Sequence, residues 1–264
     1  MFEKILENLN NKSPLVHNIT NYVTANDCAN ILLACGASPI MADDEAEVAE
    51  ITSICDALVI NIGTLNARTI SSMLIAGKRA NGLGHPVILD PVGAGASTLR
   101  TETAMKLIKE IKFSAIRGNA SEIKILCGGS GESRGVDAAT DDDTDAAEDA
   151  KRLANLTGAV VLVTGKTDFV TDGKKVAAIS NGHPLMKKVT GCGCMLSSLL
   201  GGFCGANPDN IFDATVCAAA FMGLCGERAA ENYVGTGTLR TGIIDEVSNM
   251  TAEKLNRGIK IEQK

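Results

Sequence analysis

The chain has 264 residues, of which 45% are hydrophobic, and a formal net charge of −6 at pH 7. This length and apolar content are enough to bury a substantial core, and no shift in composition marks a linker, so we expect a single domain over residues 1–264. The acidic balance, without a cluster of Lys and Arg, argues against nucleic acid and against an anionic membrane surface as partners. The apolar runs are interrupted well short of a membrane span. Small molecules are therefore the favoured ligands.

The cysteine content predicts a reducing environment. The nine cysteines are odd in number, and no pair has the C-x-x-C spacing of a redox or zinc motif. The first residues, Met1 to Lys4, begin an amphipathic helical pattern instead of a secretion signal. We therefore expect free thiols and a cytoplasmic location.

Short apolar runs alternate with helical patterns over the first half of the chain. Strands are predicted at 15–19, 37–41, 57–61, 86–89 and 114–117. Helices are predicted at 2–10, 22–34, from after Asp44 to about residue 54, 66–80, 100–111 and 121–126. Because the strands are apolar on both faces, they are typical of a parallel sheet covered by helices on both sides. The sequence thus predicts an α/β fold with three layers.

The pattern changes after residue 128. A Gly-, Ser- and Asp-rich stretch over 128–143 predicts a solvated loop before a helix at 145–157. A buried strand at 159–164 and a hairpin at 169–179 follow, and the hairpin would extend the sheet with antiparallel strands. The predicted helices of the last third cover 191–204, 209–232 and about 242–255.

The stretch from Val189 to Ser198 predicts a glycine-rich loop that turns directly into a buried helix. Thr190 is a residue type that can cap the helix, and Gly191 and Gly193 leave the backbone open to a ligand. The first amides of a helix lack partners within the helix and lie at the positive end of its dipole. The stretch therefore suits a phosphate, with Cys194 in the first turn facing it. An ordinary capped helix start remains the alternative.

Polar side chains follow the predicted strands at their carboxyl ends, where ligands bind in open α/β sheets. The residues in question are Asn21, Met41, Asp90, Arg117, Asn119 with Glu122, and Thr164. Because separate strands bring these residues to one edge of the sheet, the pattern predicts a site there.

Asn119 and Glu122 have a spacing that puts both side chains near one edge of a helix's first turn. A carboxylate at this position suits a hydrated Mg²⁺, which takes one or two protein carboxylates together with phosphate oxygens. A simple helix cap with a favourable first-turn charge explains the same two residues. Both interpretations stay open on this evidence.

Several motifs together resemble the ribokinase superfamily of ATP-dependent small-alcohol kinases, and more closely the hydroxyethylthiazole kinase family of thiamine salvage. The resemblance covers about residues 12–245 in the family's motif order. The motifs that carry it are Pro14-Leu15-Val16-His17-Asn18-Ile19-Thr20-Asn21, Pro39-Ile40-Met41, Asp90-Pro91-Val92-Gly93-Ala94, Arg117-Gly118-Asn119 with Glu122, Thr164-Gly165, and Val189-Thr190-Gly191-Cys192-Gly193-Cys194.

The resemblance implies a ribokinase-like three-layer sandwich that phosphorylates the primary hydroxyl of 5-(2-hydroxyethyl)-4-methylthiazole with ATP and Mg²⁺. It also implies a homotrimer with its active sites between subunits. The implied roles are nucleotide binding for Arg117, Thr164 and Asn119, thiazole binding for Met41, Gly191 and Asn21, and the magnesium side for Asp90 and Glu122. The expected catalytic residues are Cys194, beside the reacting hydroxyl, and Gly193, where a side chain would obstruct the anion pocket.

Cys194 departs from the wider superfamily, which usually has an Asp as general base at this position. A thiol has a reference pKa of about 8.5, so Cys194 can accept the proton only if the helix N-terminus lowers that value. The alternatives are a related enzyme for a hydroxymethylpyrimidine or pyridoxal-like alcohol, a dehydratase of a hydrated nicotinamide nucleotide, and a nucleotide-binding module without catalysis.

Overall fold

A nine-stranded sheet organises the chain. The computed structural model describes residues 2–128, 143–232 and 234–263. The strand order is β2-β1-β3-β4-β5-β6-β7-β8-β9. The strands are β1 Leu15–Ile19, β2 Ser38–Met41, β3 Ala57–Asn61, β4 Val87–Asp90, β5 Ala115–Asn119, β6 Val160–Thr164, β7 Asp168–Thr171, β8 Val176–Ile179 and β9 Ile261–Gln263. The first six are mutually parallel, and the last three continue the sheet as antiparallel strands.

Helices cover both faces of the sheet. Their bounds are α1 Glu3–Lys12, α2 Ala25–Ala34, α3 Val48–Ile54, α4 Ala67–Leu83, α5 Thr98–Glu110, α6 Ala120–Leu126, α7 Asp143–Thr157, α8 Cys192–Ala206, α9 Ile211–Glu231, α10 Thr236–Ser248 and α11 Ala252–Gly258, and a 3₁₀ turn spans Pro184–Lys188. No helix among the described residues combines the length and apolarity needed to cross a bilayer. The predicted three-layer α/β fold is confirmed.

Strand alternation divides the apolar residues into two cores. Val59, Ile88 and Ala115 pack on the face covered by α1, α2 and α8 to α11. Leu89 and Ile116 pack on the opposite face with α3 to α7. Because side chains two residues apart share a face, the polar residues that end β3 and β4, and the third residue of β5, lie on the same side as α8. The fold therefore brings strand ends and one helix start together.

Two parts of the predicted pattern differ from the structure. The helix predicted over 242–255 is two helices, because the chain breaks after Ser248 and Thr251 caps a new helix by accepting the N–H of Lys254 at 3.2 Å. The sequence pattern also gives no sign of β9, a three-residue strand paired with β8. The loop predicted over 128–143 lies almost wholly outside the described residues.

Candidate active site

Helix α8 begins without a side-chain cap. Its N-cap residue is Gly191, which has a φ of +87°, so the prediction that Thr190 caps the helix is wrong. A side chain at position 191 would also meet Cγ2 of Thr24 at 2.7 Å. Among the described residues, the amide N–H groups of Gly193 and Cys194 have no acceptor. The missing cap leaves these two donors free for an anion.

Arg117 projects from β5 across the start of α8. A Cβ on Gly193 would lie 2.7 Å from Nη2 and 2.8 Å from Cζ of this guanidinium, and closer still to Nη1. Nη2 donates to Oγ1 of Thr164 at 2.8 Å, while Nε is buried without an acceptor. Burial opposes the positive charge, but the carboxylates of Asp90 and Glu122 hold the pKa of Arg117 above its ordinary value. A permanent cation and two free amides thus lie side by side.

Asp90 ends β4 and is completely buried. Its Oδ2 accepts hydrogen bonds from Nδ2 of Asn61 and from Oγ of Ser197, both at 2.8 Å. Its Oδ1 lies 3.6 Å from Nη1 of Arg117 but has no hydrogen-bond partner. Burial raises the pKa of this carboxyl, and the charge of Arg117 opposes the rise. One oxygen is therefore fixed by two hydrogen bonds, and the other faces the guanidinium of Arg117 without a hydrogen bond.

Asn119 and Glu122 form a reciprocal capping box at the start of α6. Oδ1 of Asn119 accepts the N–H of Glu122 at 2.9 Å, and Oε2 of Glu122 accepts the N–H of Asn119 at 2.8 Å. The carboxylate accepts a second backbone N–H, because Oε1 of Glu122 accepts the N–H of Gly93 at 2.8 Å. Burial raises the pKa of Glu122 to about 7, with the charges of Arg117 and Asp90 acting in opposite directions. The cap interpretation is confirmed, and it places the carboxylate beside Arg117 and Asp90.

Cys194 lies at the centre of a set of side-chain amides. Its Sγ accepts hydrogen bonds from Nδ2 of Asn21 and from Nδ2 of Asn61, each at 3.3 Å. Oδ1 of Asn21 accepts both the N–H and the hydroxyl of Thr24 at 3.1 Å, which fixes the orientation of the amide. Burial, and then the charge of Asp90, raise the pKa of Cys194 above its ordinary value. The lowering that a general base would need is not found in this structure.

Met41 lies farther from this corner than the other predicted residues. It ends the outermost strand, β2, three strand positions from β4, and it is 39% exposed. At about 4.8 Å per strand, this separation is about 14 Å. Met41 therefore stands at the open margin of the site, whereas Gly191 borders the helix start.

The structure brings three further residues to the site that the sequence motifs do not predict. Asn61 ends β3 and links Asp90 to Cys194, and Ser197 lies one turn after Gly193 on α8. Asp168 accepts the N–H of Gly165 at 2.9 Å, and burial raises its pKa to about 7, with Arg117 opposing. Asn61 carries the signal used for Asp90, a polar residue at the end of an apolar strand, whereas Ser197 becomes visible only once the helix face is known.

The carboxylates of Asp90 and Glu122 suit a metal ion that keeps most of its waters, and not an ion held by protein ligands alone. Within the described ranges, no three His, Cys, Asp or Glu side chains are grouped as metal ligands. Mg²⁺ does not require such a group, because it keeps several waters and takes one or two carboxylates together with phosphate oxygens. The unpartnered, buried Oδ1 of Asp90 is the atom that such an ion would satisfy.

The fold defines the class of protein first. A Staphylococcus aureus pyridoxal kinase, solved with AMP-PCP and pyridoxal, superposes with a TM-score of 0.63 over 95% of this chain and 98% of that one, at 17% identity. Together with the mostly parallel sheet and its helices, this likeness identifies a ribokinase-like three-layer sandwich.

The closer comparisons identify the family. Residues 6–253 match the Hydroxyethylthiazole kinase family. A hydroxyethylthiazole kinase of Clostridium acetobutylicum is 53% identical over 99% of each chain. The structure of a hydroxyethylthiazole kinase protein from Pyrococcus horikoshii has a TM-score of 0.92 and 35% identity, covering 99% of this chain and 98% of that one. The chain belongs to the hydroxyethylthiazole kinase family.

Proposed function

We propose that this chain transfers the γ-phosphoryl group of ATP to the primary hydroxyl of 5-(2-hydroxyethyl)-4-methylthiazole, in thiamine salvage. Membership of the family supports a kinase that uses ATP. The observation that carries the proposal is the start of α8, where the free amides of Gly193 and Cys194 lie against the guanidinium of Arg117. All nine strands join one sheet, which supports a single domain over residues 1–264.

The nucleotide lies on the side of β5 and β6 in this proposal. Arg117, held by Thr164, pairs with the phosphates, and Asn119 borders them at the start of α6. As the γ-phosphoryl group leaves ADP, its charge spreads over three oxygens. The two free amides and the guanidinium are already in place for that charge, so little reorganisation is needed during transfer.

Cys194 positions the acceptor alcohol instead of removing its proton. Its thiol stays protonated at neutral pH, because burial and Asp90 raise its pKa. A loose transition state depends more on positioning and charge neutralisation than on early proton removal. The hydroxyl proton passes to an oxygen of the transferred phosphoryl group as the new O–P bond forms and the bond to ADP breaks. A protonated thiol in van der Waals contact with the hydroxyethyl arm is therefore compatible with turnover.

Magnesium would be held on the side of Asp90 and Glu122. The Oδ1 atom of Asp90, which has no hydrogen-bond partner, would hold the ion directly or through one of its waters, and the nearby carboxylate of Glu122 would add negative charge on the same side. When bound, Mg²⁺ neutralises phosphate charge. The chain itself contributes the fixed position of the Asp90 carboxylate, through Asn61 and Ser197.

The thiazole ring is proposed to lie between Asn21, Gly191 and the margin marked by Met41, with a neighbouring subunit completing the pocket. Exposed apolar side chains directly after Asn21 support contact with another subunit, since Tyr22 is 82% exposed and Val23 is 59% exposed. We propose a homotrimer, as in the sequence-based expectation. Burying such side chains is the usual reason for closed assembly. Sedimentation analysis tests this directly, and a monomer at working concentration would contradict it.

The activity is tested with purified protein, ATP, Mg²⁺ and a panel of vitamin-precursor alcohols. We expect ADP release that depends on the thiazole alcohol and exceeds the release with hydroxymethylpyrimidine or pyridoxal. Release with no alcohol in the panel would favour a nucleotide-binding module, and a preference for pyridoxal would refute the proposed substrate. We expect the reaction in the cytoplasm, where the nine unpaired thiols stay reduced.

A further inference from the structure

Arg100, at the start of α5, touches neither the predicted site residues nor any carboxylate among the hydrogen bonds and ion pairs of the described residues. Its two terminal nitrogens instead contact the backbone of two different loops. Nη2 donates to the carbonyl oxygen of Gly63 at 2.6 Å, and Nη1 donates to the carbonyl oxygen of Val92 at 2.8 Å. One guanidinium therefore ties the loop after β3 to the loop after β4.

The loop after β3 orients the acceptor side of the site. The N–H of Gly63 donates to Oδ1 of Asn61 at 2.9 Å. With its oxygen held there, Asn61 presents its amide nitrogen to Oδ2 of Asp90 and to Sγ of Cys194. Nδ2 of Asn21 donates to the same oxygen at 3.1 Å, so a shift of Gly63 would remove one of the two donors that hold the oxygen of Asn61 and would loosen both contacts.

The loop after β4 orients Glu122. The N–H of Gly93, next to Val92, donates to Oε1 of Glu122 at 2.8 Å. Gly93 has a φ of +72°, and a Cβ there would lie 3.2 Å from Cζ of Arg100 and overlap Nη1. The tight turn is thus shaped around the guanidinium, which leaves no room for a side chain.

We infer that Arg100 is a positioning residue for phosphoryl transfer: through Gly63 and Val92 it fixes Asn61 with Cys194 on one side of the reacting centre and Glu122 on the other. The inference rests on the proposed kinase activity. A planar fork spans two carbonyls at once, whereas a lysine ammonium is a single point of charge. Misplacing reacting groups by about 1 Å costs on the order of 10²-fold in rate.

The test compares Arg100→Met and Arg100→Lys with wild type. We expect kcat to fall by about 10- to 100-fold in Arg100→Met, with the KM values for ATP and for the thiazole alcohol changing by less than about threefold. Arg100→Lys should recover only part of the lost kcat. A matched control is Arg79→Met on α4, an exposed arginine with a single hydrogen bond to Ser53, which should keep the wild-type kcat.

A second measurement keeps the inference testable if Arg100→Met folds poorly. In Arg100→Ala, millimolar guanidinium ion should restore kcat, because it can bridge the same two carbonyls, and methylammonium should not. Unchanged kcat in a folded Arg100 variant, or a loss confined to KM, would overturn the inference. If the wild-type protein shows no activity with the alcohol panel, the proposed function fails. Hydrogen–deuterium exchange then tests whether Arg100 fixes the two loops: the N–H groups of Gly63 and Gly93 should exchange faster in Arg100→Met than in wild type. Equal exchange rates would refute the positioning role of Arg100.

Discussion

Adding one methyl group at Gly193 should disable the proposed phosphate site. The new Cβ would lie 2.7 Å from Nη2 of Arg117 and closer still to Nη1, whereas ordinary contact begins at 3.4 Å. The guanidinium must therefore move by about 1 Å, and a misplacement of that size costs on the order of 10²-fold in rate. At 1.36 kcal/mol per factor of ten, this corresponds to about 2.7 kcal/mol of lost transition-state stabilisation. The motion also strains the 2.8 Å hydrogen bond to Thr164.

Steady-state ADP release at saturating ATP and thiazole alcohol measures the effect on kcat of Gly193→Ala. Gly237→Ala is a closely matched control, because Gly237 is likewise the second residue of its helix, α10, and a Cβ there meets nothing within 4 Å. We expect the control to keep the wild-type kcat. A folded Gly193→Ala protein with kcat within about threefold of wild type would refute the reasoning, since a shift of the guanidinium would then cost less than about 0.7 kcal/mol.

Three further substitutions test other parts of the account. Cys194→Asp should keep or increase kcat. The amides of Asn21 and Asn61, which donate to Sγ at 3.3 Å, can bind a carboxylate, and that carboxylate can take the hydroxyl proton. Cys194→Asn is the control that cannot act as a base, and a near-total loss of kcat in folded Cys194→Asp would contradict the prediction. Thr164→Val removes the 2.8 Å contact to Arg117, a hydrogen bond to a charged group worth about 1.5–3 kcal/mol, so kcat/KM for ATP should fall by about 10- to 100-fold. Thr164→Ser should stay close to wild type, and equal losses in both variants would exclude the hydroxyl as the cause. Burial lowers the pKa of His17 in the folded protein, whereas an unfolded histidine titrates at about 6.5. The contribution of His17 to the free energy of unfolding should therefore drop as pH falls below about 6.5, by at most about 1.4 kcal/mol per pH unit. The raised pKa values of Glu122 and Asp168 act in the opposite direction, so the effect of His17 is the difference between two proteins that share these carboxyls. Urea unfolding of wild type and His17→Gln across this range measures the difference, and identical pH slopes would exclude His17.

Strand periodicity and strand-end residues predict where most residues of the candidate site lie. Asp90 and Thr164 end buried strands, and Arg117 lies on β5, so a parallel sheet brings them to one edge, as the sequence indicates. The spacing of Asn119 and Glu122 likewise predicts the first turn of a helix. These inferences succeed because they depend on local periodicity and on the direction of parallel strands.

The remaining features depend on tertiary contacts that local patterns do not contain. Thr190 satisfies the composition rule for a cap, but the chain turns through the left-handed region at Gly191, and the cap is absent. The helix dipole alone would lower the pKa of Cys194, but burial and the charge of Asp90 raise that pKa in the folded protein. The tie made by Arg100 joins loops 37 residues and 8 residues away in sequence, and no motif spacing reveals such a pair.

The central claim is that the amides at the start of α8 and the guanidinium of Arg117 hold the phosphoryl group during transfer. A crystal structure with ADP, Mg²⁺, aluminium fluoride and the thiazole alcohol tests this most directly, because the aluminium fluoride complex mimics the phosphoryl group in the transition state. We predict fluorine atoms within about 2.7–3.1 Å of the amide nitrogens of Gly193 and Cys194, and in contact with Arg117. A fluoride complex bound away from α8, with these amides facing only water, would contradict the account.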